Sequence, residues 1–321
     1  MPSMMAGFED RNQAYKDNPE GLKNFLGAFP ETMAATLVLI REVFGGAENY
    51  CKEYMGLEIA DIDKIRQNVL QPLPPPFVFI DGVDNVRTVD VSARSPFVKV
   101  KPGIIYRGAD TVGITQYGKG QLFERRIETI VDVRLEDGSD DGSDVAETLE
   151  VYEKHPLQAF IQAYAETLHT NGEGFKRFFT YLRDNPDKPV LVHCSAGKDR
   201  TGIAIALLLM VLGIQYDDII ADYALSGVGL QSAMPRLIEE FEARDVAYQN
   251  NPKGLTNFLS APPEAMAATL VLIREKFGGA ENYCKEYMQL GSKDMEKIRQ
   301  NLCLKVPQPR PTKFSRSHNA M

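Results

Sequence analysis

The chain has 321 residues and a formal charge of −8, with 44% hydrophobic and 25% charged residues, the balance of a globular protein with room for one large or two modest domains. The acidic surplus argues against general nucleic-acid or anionic-membrane binding, because neither is drawn to a net acidic field. Cysteines stand at 51, 194, 284 and 303, without metal-ligand spacing and too few for a disulfide framework, so a reducing, cytoplasmic location without a metal or other cofactor is expected.

The first residues, Met1 to Asp10, carry neither a basic segment nor an apolar core, so no secretory signal is expected. Residues 15 to 69 then match residues 248 to 302 at a constant offset, without gaps, with about 40 of 55 positions identical. Pro19 pairs with Pro252, Arg41 with Arg274 and Cys51 with Cys284. Copies this far apart are not a solenoid, which needs adjacent repeats. Each copy reads as helices. Met266, Leu270, Ile273 and Phe277 keep a helical spacing, Pro263 suits a first turn and Gly278-Gly279 a stop. A second helix follows from Glu281, and a third starts at Ser292 with Asp294 and Glu296 in its first turn. In the first copy Ile59 stands where Ser292 does, so Asp61 is expected as the cap there.

Pro72, Pro74, Pro75 and Pro76 favour a stiff, extended linker. The expected organisation is a helical segment 1–70, a linker 71–76, a main domain 77–304 and a disordered tail 305–321. Within the main domain, short strands are predicted at Phe77 to Ile80 and Phe97 to Val100, the stretch Gly103 to Gly108 follows, and a buried strand is predicted at Ile130 to Arg134. Thr115 to Glu124 reads as a helix. An acidic, Gly- and Ser-rich loop spans Glu136 to Asp144, and residues 145 to 183 read as two helices, the second placing Phe175, Phe178, Phe179 and Leu182 on one side. A strand at Val190 to Val192 leads to an apolar helix at Gly202 to Leu212, too short for the roughly 18 residues of a membrane span. Further helices follow at Tyr216 to Leu225 and Met234 to Phe241. The alternation predicts an α/β fold, a mainly parallel central sheet flanked by helices, with the duplicated helical segment in front. In such sheets ligands sit at the carboxyl ends of strands.

That end of Val190 to Val192 carries His193-Cys194-Ser195-Ala196-Gly197-Lys198-Asp199-Arg200-Thr201-Gly202. A loop turning into a helix N-terminus directs N–H groups and the helix dipole at an anion. Gly197 and Gly202 permit close backbone approach, and Arg200 offers a planar fork to two phosphate oxygens. The same field favours the thiolate of Cys194, the reactive form. Attack on phosphorus would give a cysteinyl-phosphate that water then hydrolyses, with Arg200 and the amides neutralising the transition-state charge. His193 is expected to order the loop and Thr201 to donate to the sulfur. Ser195, Ala196, Gly197, Lys198 and Thr201 complete the expected substrate-binding set. Lys198 is either a second cation for a multiply phosphorylated ring or a partner of Asp199. Asp132, at a strand end, and Asp137, Asp140, Asp141 and Asp144 in the acidic loop are candidate general acids.

The loop resembles the signature of the protein tyrosine phosphatase superfamily, and its Ala-Gly-Lys-Asp-Arg-Thr-Gly form resembles the atypical tyrosine/serine and phosphoinositide phosphatases of bacteria and fungi. Asn85-Val86-Arg87, Ile105-Tyr106-Arg107-Gly108, Val131-Asp132-Val133-Arg134 and Asp222-Tyr223-Ala224-Leu225 resemble further elements of that family, so the likeness covers roughly 77 to 302. It departs from the family at Thr88, where aspartate is usual, in a shortened stretch between Arg134 and Val151, and in the duplication. The resemblance implies a cysteine-dependent phosphatase acting on phosphotyrosine or phosphoserine proteins or on phosphoinositides. It also implies Asp199 as a candidate general acid, the role considered for relatives without a separate acid loop. The alternatives are an inositol-polyphosphate phosphatase, for which Lys198 is the suggestive feature, and a phosphate-binding module with weak catalysis. The duplicated segment 15–69 is expected either to be a remnant or to compete for the docking surface of 248–302, within the chain or in a domain-swapped partner.

Overall fold

The computed structural model describes residues 17–18, 30–62, 65, 75–90, 98–135 and 144–305. The chain divides into two compact units, Met1–Gln71 and Pro72–Met321.

In the first unit, helix α1 (Pro30–Phe44) turns through Gly45 and Gly46, at φ 71° and 99°, into α2 (Ala47–Met55). Both angles lie in the left-handed region that glycine adopts without steric cost. The rings of Phe44, Tyr50 and Tyr54 meet at 5.1 to 5.3 Å across the turn. A further helical turn begins after Glu58, whose N–H donates to Asp61 Oδ2 at 3.2 Å. Asp61 thus lies in the first turn and reaches back to the N–H three residues before it, rather than serving as the cap. Asp294 does the same to Gly291, at 2.8 Å.

The second unit is built on a sheet ordered β1-β3-β5-β4, comprising β1 (Arg87–Thr88), β3 (Ile105–Gly108), β4 (Thr129–Asp132) and β5 (Val190–His193). β3, β5 and β4 run parallel, and only β1 is antiparallel. β2 (Val98–Val100) pairs separately with β6 (Cys303–Lys305). β5 is interior and fully buried, as a continuous Val-Leu-Val run requires between helical layers. β4 lies at the sheet edge and leaves Ile130 41% exposed, so the strand expected there is only half buried. Phe77 to Ile80 forms isolated bridges to Arg87 and Val83 instead of a strand.

Helix α3 (Gln116–Glu124) is capped by Thr115, whose Oγ1 accepts from the Gly118 N–H at 3.0 Å. Residues 145–184 fold as α4 (Val145–Lys154), α5 (Pro156–Thr170) and α6 (Gly172–Asp184), one helix more than expected, because Pro156 has no N–H to continue α4 and starts a new helix. α7 (Asp199–Val211) runs through the centre, with Ile203 to Leu209 no more than 1% exposed. Then come α8 (Tyr216–Gly229), α9 (Met234–Arg244), α10 (Val246–Asn250), α11 (Pro252–Leu259), α12 (Pro263–Lys276), α13 (Ala280–Tyr287) and α14 (Ser292–Leu302). α12 packs on α5 and α8, α13 on α6 and α7, and α14 on α6. A smaller apolar cluster joins α4, α9, α10 and α11 around Leu149, Leu255 and Leu259.

Register fixes where the chemistry falls. Gly108, His193 and Asp132 lie side by side at the carboxyl ends of three parallel strands. The segments leaving those ends are therefore neighbours.

Candidate active site

The loop from His193 to Gly202 has its carbonyls occupied. Val133 N–H donates to His193 O at 2.9 Å, His193 Nδ1–H to Cys194 O at 3.0 Å, and Asp110 N–H to Ser195 O at 2.8 Å. Asn85 Nδ2 donates to Ala196 O at 3.0 Å, Arg107 Nη2 to Gly197 O at 2.8 Å, and Gly202 N–H to Lys198 O at 2.9 Å. The N–H groups of residues 195–201, by contrast, donate to no acceptor among the described residues. Arg200 is half-buried and likewise has no hydrogen-bond or ion-pair partner among them. A run of amides and one guanidinium, all without acceptors among the described residues, lies beside a buried cysteine.

Close approach explains the glycines. Gly197 has φ 66°, and a Cβ there would lie 2.1 Å from Gly108 O. A Cβ on Gly202 would sit 3.0 Å from the Tyr223 ring.

Behind the loop lies a buried charge cluster. Arg87 and Arg107, both fully buried, flank Asp222 on α8, with Arg107 Nη1 donating to Oδ2 at 2.5 Å and Arg87 Nε to Oδ1 at 3.4 Å. Arg87 also donates to Ser226 Oγ at 2.9 Å and to Asn85 Oδ1 at 2.5 Å, orienting the amide that holds Ala196. Burial, with the charge of Arg107 second, lowers the pKa of Arg87 to about 9. Asn85, Arg87, Arg107 and Asp222 were visible only as pieces of a resemblance. Their joint role follows from topology, and Tyr164 and Ser226 carried no signal beyond helical spacing.

Lys198 is 3% exposed, and its ammonium donates to Phe258 O at 2.9 Å and Ser260 O at 2.8 Å while pairing with Asp199 Oδ1 at 3.0 Å, above the Phe160 ring. Three N–H groups meet three protein acceptors. Of the two readings of Lys198, this is the geometry of the partner of Asp199: its charge ties the loop to the end of α11. Asp199 Oδ1 also accepts from Tyr164 Oη at 2.6 Å, and Oδ2 has no partner among the described residues. Burial, then the Asp199 charge, raises the pKa of Tyr164 well above its ordinary value, so Tyr164 stays a donor. Thr201 Oγ1 is buried with no hydrogen-bond partner among the described residues, so it does not donate to the Cys194 sulfur.

Asp132 is chelated by Arg134, which donates from Nε and Nη2 at 2.6 to 3.0 Å and from its backbone N–H at 2.9 Å. Arg134 also pairs with Asp110 at 2.6 Å. Desolvation pushes the Asp132 pKa up, but the bonds from Arg134 outweigh it and hold the carboxyl below the usual range. Asp132 is thus ionised at neutral pH and has no proton to give. Asp144 caps α4, accepting from the Ala146 N–H at 2.9 Å. Asp137, Asp140 and Asp141 lie outside the described residues. A groove of about 630 Å³ between the start of α4 and α10 contains neither Cys194 nor Arg200, so it is not this site.

A mainly parallel sheet with the loop from Cys194 to Arg200 between its interior strand and a buried helix defines a cysteine-phosphatase-like fold. The sequence model of the tyrosine phosphatase family matches residues 3–71 and 78–304, and the chain belongs to that family. It is 29% identical over 220 residues to a tyrosine-protein phosphatase of Nostoc commune, covering 60% of this chain and 73% of that one. It is 32% identical over 106 residues to the triple specificity protein phosphatase PtpB of Mycobacterium tuberculosis, covering 31% and 38%. The chain is a phosphatase by family, and among the described residues no helix is long and apolar enough to cross a membrane.

Proposed function

We propose that the chain hydrolyses phosphomonoesters through a cysteinyl-phosphate on Cys194. The reading rests on one observation: from His193 to Lys198 every carbonyl is held by the protein, while the amides of 195–201 and Arg200 have no acceptor among the described residues. The thiolate attacks phosphorus as the P–O bond to the leaving group breaks, and Asp199 gives that oxygen its proton. Water then attacks phosphorus, the P–S bond breaks, Asp199 takes the proton and the thiolate returns. Arg200 and the loop amides hold the non-bridging oxygens throughout. Asp199 is favoured as acid because it lies in the loop itself and Lys198 and Tyr164 engage only its Oδ1, with no partner for Oδ2 among the described residues, whereas Arg134 binds both oxygens of Asp132.

Phosphotyrosine or phosphoserine proteins and phosphoinositides are the proposed substrates, in a cytoplasmic setting. The engagement of Lys198 leaves the inositol-polyphosphate alternative without its suggestive feature. Self-association through residues 15–69 belongs to the same reading. Phosphate release from phosphopeptides, phosphoinositides and soluble inositol phosphates should be compared for wild type and Cys194→Ser. Turnover of at least one of the first two classes, abolished in the variant, is expected, and appreciable turnover by Cys194→Ser contradicts the mechanism.

A further inference from the structure

The repeat shows what a covered copy looks like. In residues 248–302, Met266, Leu270, Tyr283, Met288 and Ile298 are fully buried against the catalytic core. Their counterparts Met33, Leu37, Tyr50, Met55 and Ile65 are 60%, 59%, 36%, 58% and 48% exposed. The same side chains are core in one place and surface in the other. Val38 and Val271, at 44% and 40%, are exposed in both, so the difference belongs to one face.

That face carries more than hydrophobicity. Tyr283 Oη donates to Leu168 O at 2.7 Å, Arg183 pairs with Asp294 at 2.9 Å, Arg299 Nε donates to Val211 O at 2.9 Å and Asn301 Nδ2 to Leu182 O at 2.9 Å. The first copy keeps every one of these repeat residues, as Tyr50, Asp61, Arg66 and Asn68. Where the copies differ, the position is in most cases unburied in the second copy. The buried exceptions are Ala265, Met295 and Leu302, replaced by Thr32, Ile62 and Val69, and two of these exchange one apolar side chain for another. A face that paired only with itself would have no use for polar groups spaced to meet carbonyls on α5, α6 and α7.

We propose that the N-terminal repeat is a second occupant for the seat that α12, α13 and α14 fill, and that it docks on the catalytic core of a second copy of this chain when that seat is open. Chain continuity holds α12 to α14 in their own seat at high effective concentration, so the first copy takes a seat only where its owner is displaced. This deepens the self-association reading by naming the surface, its partner and the condition.

The test is complementation between full-length chains. One chain carries Leu37→Asp and Leu270→Asp, which spoil both of its occupants and leave Cys194 intact. The other carries Cys194→Ser alone. Each by itself should be without turnover. Co-expressed, they should form a complex of twice the chain mass, and turnover should rise at least about tenfold over the first chain alone, the ratio that ~1.4 kcal/mol of docking supplies. Adding Leu37→Asp to the Cys194→Ser chain should abolish both effects. Leu37→Asp in an otherwise wild-type chain should leave turnover unchanged. The proposal is overturned if no complex forms, if the Leu37→Asp donor rescues equally, or if a Leu270→Asp chain stays active as a monomer. The turnover arm rests on the cysteine mechanism, whereas the mass arm does not, so failure of one reading is distinguishable from failure of the other.

Discussion

The two sides of the loop from His193 to Gly202 are built in opposite ways. Its carbonyl side is saturated: Asn85, Arg107, Asp110 and Val133, from four separate segments, hold its oxygens, and Asp222 holds Arg107 and the Arg87 that orients Asn85. Its amide side meets no acceptor among the described residues. The two cations of the loop follow the same division, Lys198 turned to protein carbonyls and Arg200 without a partner among the described residues. The difference teaches that rigidity is placed behind the loop so that donors in front need no reorganisation when charge develops there.

Variants in front should cost turnover without stability, and variants behind should cost stability first. Arg200→Lys removes the planar fork, so kcat/KM for an aryl phosphate should fall by about 10²–10³-fold, the cost of losing one preorganised donor, while Tm stays unchanged. A fall in Tm instead would mean that Arg200 is held by the protein. Asp222→Asn leaves two buried guanidiniums uncompensated and should cost about 3–5 kcal/mol in urea unfolding. Turnover should fall with it, and a stable, fully active variant would break the division between the two sides. Lys198→Met should lower Tm, since Phe258 O and Ser260 O lose their donor at about 1–3 kcal/mol, while KM for phosphoinositides stays as in wild type. A phosphoinositide-selective rise in KM would return Lys198 to the front.

The smallest effects concern the acids. A general acid protonates the leaving oxygen, so its loss should lower kcat for an alkyl phosphate, whose leaving group needs that proton, more than for an aryl phosphate. Asp199→Asn should show that split. Asp132→Asn should not, because Arg134 already keeps Asp132 ionised across the neutral range. The reverse pattern in the two variants would exchange their roles.

What could be read from residues alone was what is contiguous. Strand, loop and helix from Val190 onward lie within one short stretch, and their chemistry is carried by neighbours in sequence. The clamp behind the loop was not legible as a clamp. Asn85, Arg107 and Asp222 are far apart in the chain, and only the order β1-β3-β5 and the packing of α8 bring them to one place. Between the two readings of Lys198 the sequence could not choose for the same reason, since its acceptors lie at Phe258 and Ser260. The break at Pro156 was there to be read, because a proline inside a helical pattern starts or stops a helix. The exposure of the first repeat copy could not be read at all, since its face has the same residues as the buried one.

The most direct test of the loop's chemistry is the mass of the enzyme trapped during turnover. Wild-type protein, mixed with an aryl phosphate and quenched in acid within a turnover, should carry an adduct of about 80 Da, one phosphoryl group, on the peptide containing Cys194. The Cys194→Ser protein should carry none. Brisk turnover without an adduct, or an adduct on any other residue, would contradict the account.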